Sequence, residues 1–120
     1  MSNHLHLIRQ VLVPFLPEKV QQSFMKFTAQ QIKFDLEKTD PKLLAELKVD
    51  AKDRQYQVWE RLPLKTELYT PQVFAQKLNY IHNNPVLAKL CKYPEEYYYS
   101  SAWFYLDGTD DFDMLTHYNG

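Results

Sequence analysis

Two histidines near the start of the chain have a spacing that would let them bind one cation together. His4 and His6 are separated by a single residue inside the apolar stretch HLHLI. Side chains two residues apart in a strand project from the same face, which would bring both imidazoles to one side. Neutral imidazole is a common ligand of divalent metals. The pair therefore predicts part of a metal site, and the alternative is two histidines without a role.

A second candidate group lies in the stretch NYIHNNP. Tyr80 and Asn84 are four residues apart and Lys77 precedes Tyr80 by three, so a helix would place all three on one face. The amide oxygen of Asn84 suits hard cations such as Mg²⁺ or Mn²⁺. The alternative is that Asn83 or Asn84 is a helix C-cap and that Tyr80 is an ordinary half-buried tyrosine.

The two groups complement each other chemically. Free tyrosine, with a pKa of about 10, is a poor nucleophile. A divalent cation helps such a nucleophile by polarising the phosphate under attack and by offsetting the developing negative charge. A His-x-His pair facing a Tyr-x-x-x-Asn helix is therefore suited to cutting a phosphodiester through a phosphotyrosine.

Both motifs resemble those of one family of enzymes. The stretch MSNHLHLI resembles the MPNHxHLL strand of the HUH single-strand transposases. The stretch KLNYIHNNPVLAKLCKYPEEYYYSSAWFY is similar to the closing signature of the REP-associated tyrosine transposases. The motifs occur in the family's order, and the likeness runs from Met1 to about Tyr105.

The resemblance implies a role for each site residue. The nucleophile falls on Tyr80, which would keep the 5′ phosphate of the cut strand and release a 3′ hydroxyl. The implied metal ligands are His4, His6 and Asn84, with Mg²⁺ or Mn²⁺ as the cofactor. The implied partner is folded single-stranded DNA, such as a hairpin. The protein would be a homodimer if it follows the insertion-sequence members, and the REP-associated members are often monomers.

The resemblance also implies a fold, an α+β ferredoxin-like domain in which an antiparallel sheet carries helices on one face. Family members have a strand, a helix and a strand ahead of the histidine motif. This chain begins inside that motif, with Ser2 where the family usually has proline. We therefore expect residues 1–120 to form a single, N-terminally truncated domain with a partial ferredoxin-like fold. We also expect low activity from these 120 residues alone and recovered cleavage from a version extended upstream.

Sequence patterns predict elements that would position these residues. Strands are expected at HLHLIRQVLV, which ends before Pro14, and around QYQVWERLPLKTELY, which Pro63 interrupts or bends. Helices are expected from Pro17, from Pro41 and from Pro71, because proline is favoured in the first helical turn. The third of these helices is expected to end at Asn83 or Asn84, ahead of Pro85. A short final helix is expected after PEEYYYSS.

Lysines recur every seven residues along one side of the first predicted helix. They are Lys19, Lys26 and Lys33. These lysines could form a solvated face, or they could lie along a phosphate backbone together with Lys77.

Composition limits the classes of protein that fit. The net charge of −1 argues against binding nucleic acid by bulk charge, although residues 1–48 carry +2 and residues 49–120 carry −3. Cys91 is the single cysteine, which excludes an internal disulfide and suits a reducing cytoplasm. No apolar run approaches the roughly 20 residues of a membrane span. Aromatic residues make up 15% of the chain and could stack on bases or fill a core.

Three functions remain open at this point. The first is a metal-dependent tyrosine transposase that nicks and joins single-stranded DNA. The second is a truncated relative that binds DNA hairpins but cannot cut them. The third is a structural remnant without any role in nucleic-acid binding. The first two predict that single-stranded or hairpin DNA binds better than duplex DNA, with an affinity that falls as salt rises.

Overall fold

The computed structural model describes residues 3–119; Met1, Ser2 and Gly120 lie outside the described part. Four α-helices are present there: α1 (Pro17–Thr39), α2 (Pro41–Glu46), α3 (Pro71–Leu87) and α4 (Ala102–Asp107), with a 3₁₀ turn at Pro94–Glu96. The chain divides into two compact units. The N–C unit comprises Met1–Ile8 and Thr66–Gly120, and the middle unit comprises Arg9–Lys65.

The predicted α+β, partial ferredoxin-like fold is wrong, because residues 3–119 form helices and contain no β-strand or sheet. The two segments predicted as strands lack regular structure apart from one isolated antiparallel bridge between Lys48 and Tyr56. Alternating side chains only permit a strand. The strand forms when its N–H and C=O groups pair with a neighbouring segment. Within the described residues the first segment finds no such partner and the second pairs only around Tyr56, so neither becomes part of a sheet.

The middle unit is built on α1. Asp40 separates α1 from α2: its N–H donates to the Leu36 carbonyl at 3.0 Å, and its carboxylate accepts from the Leu43 N–H at 3.1 Å. This cap satisfies helix-end groups that would otherwise lack partners. Farther along, the indole of Trp59 donates to the Thr28 hydroxyl at 2.9 Å and holds the segment after α2 against α1.

The N–C unit is built on α3, which begins as predicted. The Thr70 hydroxyl accepts from the Val73 N–H at 3.2 Å, and proline follows it as the first helical residue. The predicted end at Asn83 or Asn84 is wrong, because the helix continues through a buried Pro85 to Leu87. Proline removes one intrahelical hydrogen bond. Here only two helical residues follow Pro85, so the loss stays in the last turn.

The last helix, α4, confirms the predicted short helix after PEEYYYSS. Gly108 caps its end, and the φ of 84° there lies in the left-handed region that glycine adopts without strain. Beyond it, the carboxylate of Asp110 accepts from the backbone N–H groups of Phe112, Met114 and Leu115. These bonds fold the segment after α4 into a compact loop.

Both units bury little apolar surface. Among residues 3–119 the buried hydrophobic side chains are Leu44 in the middle unit and Ala102 in the N–C unit. Many large apolar side chains are exposed instead, including those of Leu5, Leu7 and Phe15. None of the helices described here is both long enough and apolar enough to cross a membrane.

Candidate metal and nucleophile site

The rings of His4 and His6 lie side by side, although their segment is not a strand. Their centroids are 5.1 Å apart and their planes are 78° apart, an edge-to-face arrangement. Two imidazoles that share one ion at metal–nitrogen distances of ~2.1 Å have centroids roughly 4.5–5.5 Å apart. The observed spacing therefore fits a pair of ligands to a single cation.

Asn3 determines which nitrogen of His4 can act as a ligand. His4 Nδ1 lies 2.7 Å from the amide oxygen of Asn3. An amide oxygen only accepts hydrogen bonds, so Nδ1 carries the proton and Nε2 keeps its lone pair. A hydrogen bond from the second ring nitrogen is the usual way in which proteins orient a metal-binding histidine. Sequence reasoning passed over Asn3, although its place beside His4 was a signal.

The surroundings of His6 favour its neutral form. Partial burial lowers the pKa of the His6 imidazole, and the positive charge of a protonated His4 lowers it further. Only the neutral ring can donate a lone pair to a metal. The lowered pKa of His6 therefore favours the form of this ring that metal binding requires.

Tyr80 lies against this pair. Its ring centroid is 5.7 Å from that of His6, at an interplanar angle of 76°. It is carried on α3, and 55% of the residue is exposed, so it is accessible from solvent. All three residues belong to the N–C unit. The structure thus brings together His4, His6 and Tyr80, although the tyrosine is 74 or more positions from either histidine in the sequence.

The two other predicted residues of this group are on α3. Asn84 follows Tyr80 by about one helical turn and is half-buried, and Lys77 precedes Tyr80 by about one turn and is exposed. Within residues 3–119 no hydrogen bond joins the Asn84 amide to either imidazole. The role of Asn84 as the third ligand and that of Lys77 in DNA binding stay predictions.

The lysines of α1 are a separate group, because they belong to the middle unit. Lys19 and Lys26 are exposed. The ammonium group of Lys33 instead lies 5.7 Å from the ring centroid of Tyr56, within the range of a cation–π contact, and the residue is half-buried. Two of the three lysines are therefore exposed to solvent, and the ammonium group of the third is in contact with an aromatic ring.

The donors brought together here are the two imidazoles, and Mg²⁺ or Mn²⁺ would need most of its ligands from oxygen. Residues 3–119 contain no group of three or more His, Cys, Asp or Glu side chains that could hold a metal ion. Two imidazoles leave several positions of a six-coordinate Mg²⁺ or Mn²⁺ open. Water and phosphate oxygens can fill those positions, and Asn84 is the one amide that sequence reasoning assigns to them.

A third histidine has a structural place that sequence reasoning missed. His82 is buried on α3, and its Nε2 lies 2.8 Å from the hydroxyl of Ser101, immediately before α4. Burial lowers the pKa of the His82 imidazole. Since His82 follows Tyr80 by two positions, the two side chains project from different faces of α3. His82 thus fastens the helix that carries Tyr80.

Comparisons with known proteins add no relative to this description. A search of protein-family models, a search of curated proteins and a search of solved structures each gave no match. The transposase resemblance stays a prediction from the two sequence motifs.

Proposed function

We propose that this protein is a metal-dependent tyrosine transposase that nicks and joins single-stranded DNA. One observation carries the proposal: the paired imidazoles of His4 and His6 lie against the exposed ring of Tyr80. A cation-binding pair beside an accessible phenol is the arrangement that phosphodiester cleavage through tyrosine needs. The resemblance of the sequence around both groups to the tyrosine transposases supports the same chemistry.

In the proposed reaction, the hydroxyl oxygen of Tyr80 attacks a backbone phosphorus of the DNA. A tyrosine–phosphorus bond forms while the bond from phosphorus to the 3′ oxygen breaks. The phenolic proton is lost to solvent, and the departing 3′ oxygen takes up a proton to become a hydroxyl. A divalent cation, when bound, supplies electrostatic stabilisation of the phosphate charge.

The protein's own residues would prepare this step. Asn3 holds the His4 ring in the tautomer that leaves Nε2 free, and the lowered pKa of His6 keeps that ring neutral. Joining is the reverse reaction, in which a 3′ hydroxyl attacks the phosphotyrosine. The phosphotyrosine bond conserves the energy of the phosphodiester, so no nucleotide cofactor is required.

The proposed partner is single-stranded or hairpin DNA in the cytoplasm. The lysines of α1 and Lys77 would contact its phosphates, because salt-sensitive contacts from lysine supply much of the affinity for nucleic acid. The proposal is compatible with one copy of the chain or with a homodimer.

A second candidate is a protein that holds DNA hairpins without cutting them. It is favoured by the small amount of buried apolar surface, because Leu44 and Ala102 are the buried hydrophobic side chains of residues 3–119. Attack on phosphorus needs the two reacting atoms held about 3–3.5 Å apart, and only a rigid frame can do this. DNA binding tolerates a looser frame.

The test is to detect DNA that is covalently attached to the protein. The protein is incubated with Mn²⁺ or Mg²⁺ and a labelled hairpin that has single-stranded flanks, and the products are separated under denaturing conditions. We expect a labelled adduct that chelation of the metal prevents. Tyr80→Phe, which keeps the ring and removes the hydroxyl, should abolish the adduct and leave hairpin affinity within about twofold.

The matched control is Tyr69→Phe, which removes the hydroxyl of another exposed tyrosine in the N–C unit. It should form the adduct as well as the unmodified protein does. Binding without any adduct would favour the second candidate. An adduct that persists in Tyr80→Phe would contradict the assignment of the nucleophile.

A further inference from the structure

The carboxy-terminal part of the N–C unit has an unusual composition. Residues 93–120 contain six Asp/Glu, no Lys or Arg, and nine aromatic residues. Such a segment repels a phosphate backbone, so the proposed DNA chemistry does not explain it. Acidic groups interspersed with aromatic rings are suited to a positively charged ligand.

Some of these side chains line an open cleft of about 250 Å³. The cleft lies between the 3₁₀ turn, α4 and the loop that Asp110 folds. Its aromatic lining residues are Tyr97, Tyr98, Trp103, Phe104 and Phe112. Tyr98 and Phe112 have centroids 5.2 Å apart, with 58% and 44% of each residue exposed. Ring surface is therefore available to a ligand.

Four carboxylates line the same cleft, and they divide into two kinds. Glu96 accepts from two backbone N–H groups and Asp110 from three, so the protein's own backbone occupies both. Glu95 and Asp111 have no hydrogen bond or ion pair within residues 3–119. Their charges are thus available to a ligand in the cleft.

We propose that this cleft binds an organic cation with an alkylammonium or guanidinium head. The aromatic rings attract a cation through their negative faces, and the two carboxylates without partners accept hydrogen bonds from its N–H groups. The volume suits one such head with a short alkyl chain. The site uses neither the paired histidines nor Tyr80, so it is independent of the proposed DNA chemistry.

The test exploits the two tryptophans of the chain, one in each unit. Trp103 lines the cleft and its indole N–H donates to the Thr109 hydroxyl at 2.8 Å, whereas Trp59 belongs to the middle unit. The full chain is titrated with n-butylammonium, and both indole signals are followed by ¹H–¹⁵N NMR. The Trp103 signal should shift and saturate, the Trp59 signal should not, and K⁺ at equal ionic strength should leave both in place.

A second titration distinguishes the sources of the cation. A blocked Gly-Arg-Gly tripeptide presents the guanidinium as part of a chain. Tighter binding of the tripeptide than of n-butylammonium would support the site and assign it to a basic peptide. Tighter binding of n-butylammonium would support the site and assign it to a free amine. No saturable shift of Trp103 with either compound would overturn the proposal.

Variants test which groups hold the cation. Combining Glu95→Gln with Asp111→Asn should weaken binding by about three- to tenfold, because two exposed ion pairs are lost. The matched control is Asp113→Asn, which removes one charge outside the cleft at a φ of 51° that asparagine also adopts. Equal weakening by the control would contradict a specific site.

The aromatic contribution has its own variant. Tyr98→Leu should weaken binding by about threefold or more, because a cation–π contact is lost. The control Tyr69→Leu changes an exposed tyrosine outside the cleft and should have no effect. If Tyr98→Leu does not fold, the combined Glu95→Gln and Asp111→Asn variant and its Asp113→Asn control still test the site, since neither removes a ring.

Discussion

The two compact units differ in what their side chains offer a nucleic acid. The N–C unit holds His4, His6 and Tyr80 but has three Lys/Arg against seven Asp/Glu. The middle unit has none of these site residues, yet it carries eleven Lys/Arg against eight Asp/Glu. Residues suited to chemistry and residues suited to phosphate binding are thus on different parts of the chain. Mutations should therefore be able to separate the proposed DNA cleavage from the proposed DNA binding.

The units also differ in how they are held together. In the N–C unit a buried imidazole pairs with a hydroxyl, His82 with Ser101. In the middle unit an indole pairs with a hydroxyl, Trp59 with Thr28. Only the first of these bonds involves an imidazole, the side chain whose ordinary pKa lies near neutral pH. The N–C unit should therefore respond to mild acid through this bond, and the middle unit should not.

The largest effect is expected from removing a proposed metal ligand in the N–C unit. His6→Ala should lower adduct formation by about a hundredfold or more, because ligand loss weakens metal binding more than the loss of an outer partner does. The measurement is adduct yield against Mn²⁺ concentration, and excess Mn²⁺ should restore part of the yield. Leu5→Ala shortens the neighbouring exposed side chain and should have little effect. Equal yields from the two variants would mean that His6 holds no metal.

A smaller effect is expected in the middle unit, on binding rather than on cutting. The triple replacement by Gln of Lys19, Lys26 and Lys33 should reduce the salt dependence of single-stranded DNA binding by about 2 in log–log slope. The control triple replaces other exposed lysines of the same unit: Lys38, Lys42 and Lys48. The slope is obtained from affinities measured by fluorescence anisotropy. The salt concentration is varied between about 50 and 200 mM, which is on the order of physiological ionic strength. If both triples lower the slope equally, the heptad spacing of α1 has no special role.

Loss of the indole hydrogen bond should affect the middle unit alone. Trp59→Phe keeps an aromatic ring but leaves the Thr28 hydroxyl without its donor, at a cost of about 1 kcal/mol in the free energy of unfolding. Hydrogen exchange should rise in residues 9–65 and stay constant around α3. A matching rise around α3 would show that the two units unfold as one.

The smallest effect is a pH dependence of the N–C unit. Burial lowers the pKa of His82 in the folded chain. As pH falls below the ordinary value of 6.5, the imidazole therefore binds a proton in the unfolded chain before it does so in the folded chain. Stability from this residue is complete above that value and is lost as pH falls toward the lowered pKa. His82→Gln should show a flatter stability change than the unmodified chain between about pH 7.5 and 5.5. Parallel pH profiles for the two proteins would contradict this role of His82.

Sequence reasoning was most successful where a few adjacent residues determine the structure. Thr70 followed by proline, and Asp40 followed by proline, each mark the start of a helix because a cap and a first-turn proline act locally. The strand predictions were wrong because pairing depends on a distant partner that a local pattern cannot supply. Pro85 was wrongly taken as a helix end because its cost depends on how many helical residues follow.

The candidate site shows the same division between local and distant information. The spacing of His4 and His6 brought the rings together without the strand that the prediction assumed. Spacing alone could not place Tyr80 beside His6, since the two are 74 positions apart in the sequence. The resemblance to the transposases linked the two motifs. His82 was missed because its role depends on a hydrogen-bond partner that residue types alone do not reveal, whereas Asn3 was missed although its place beside His4 was a signal.

The most direct test of the proposed site identifies the tyrosine that carries the DNA. The chain has nine tyrosines, several of them exposed, so an adduct alone does not show which one reacts. After reaction with a hairpin and Mn²⁺, the protein and DNA are digested and the nucleotide-bearing peptide is sequenced by mass spectrometry. We predict a 5′ phosphate on Tyr80 and on no other tyrosine. A phosphate on another tyrosine, such as Tyr98 or Tyr99, would contradict a site built from His4, His6 and Tyr80.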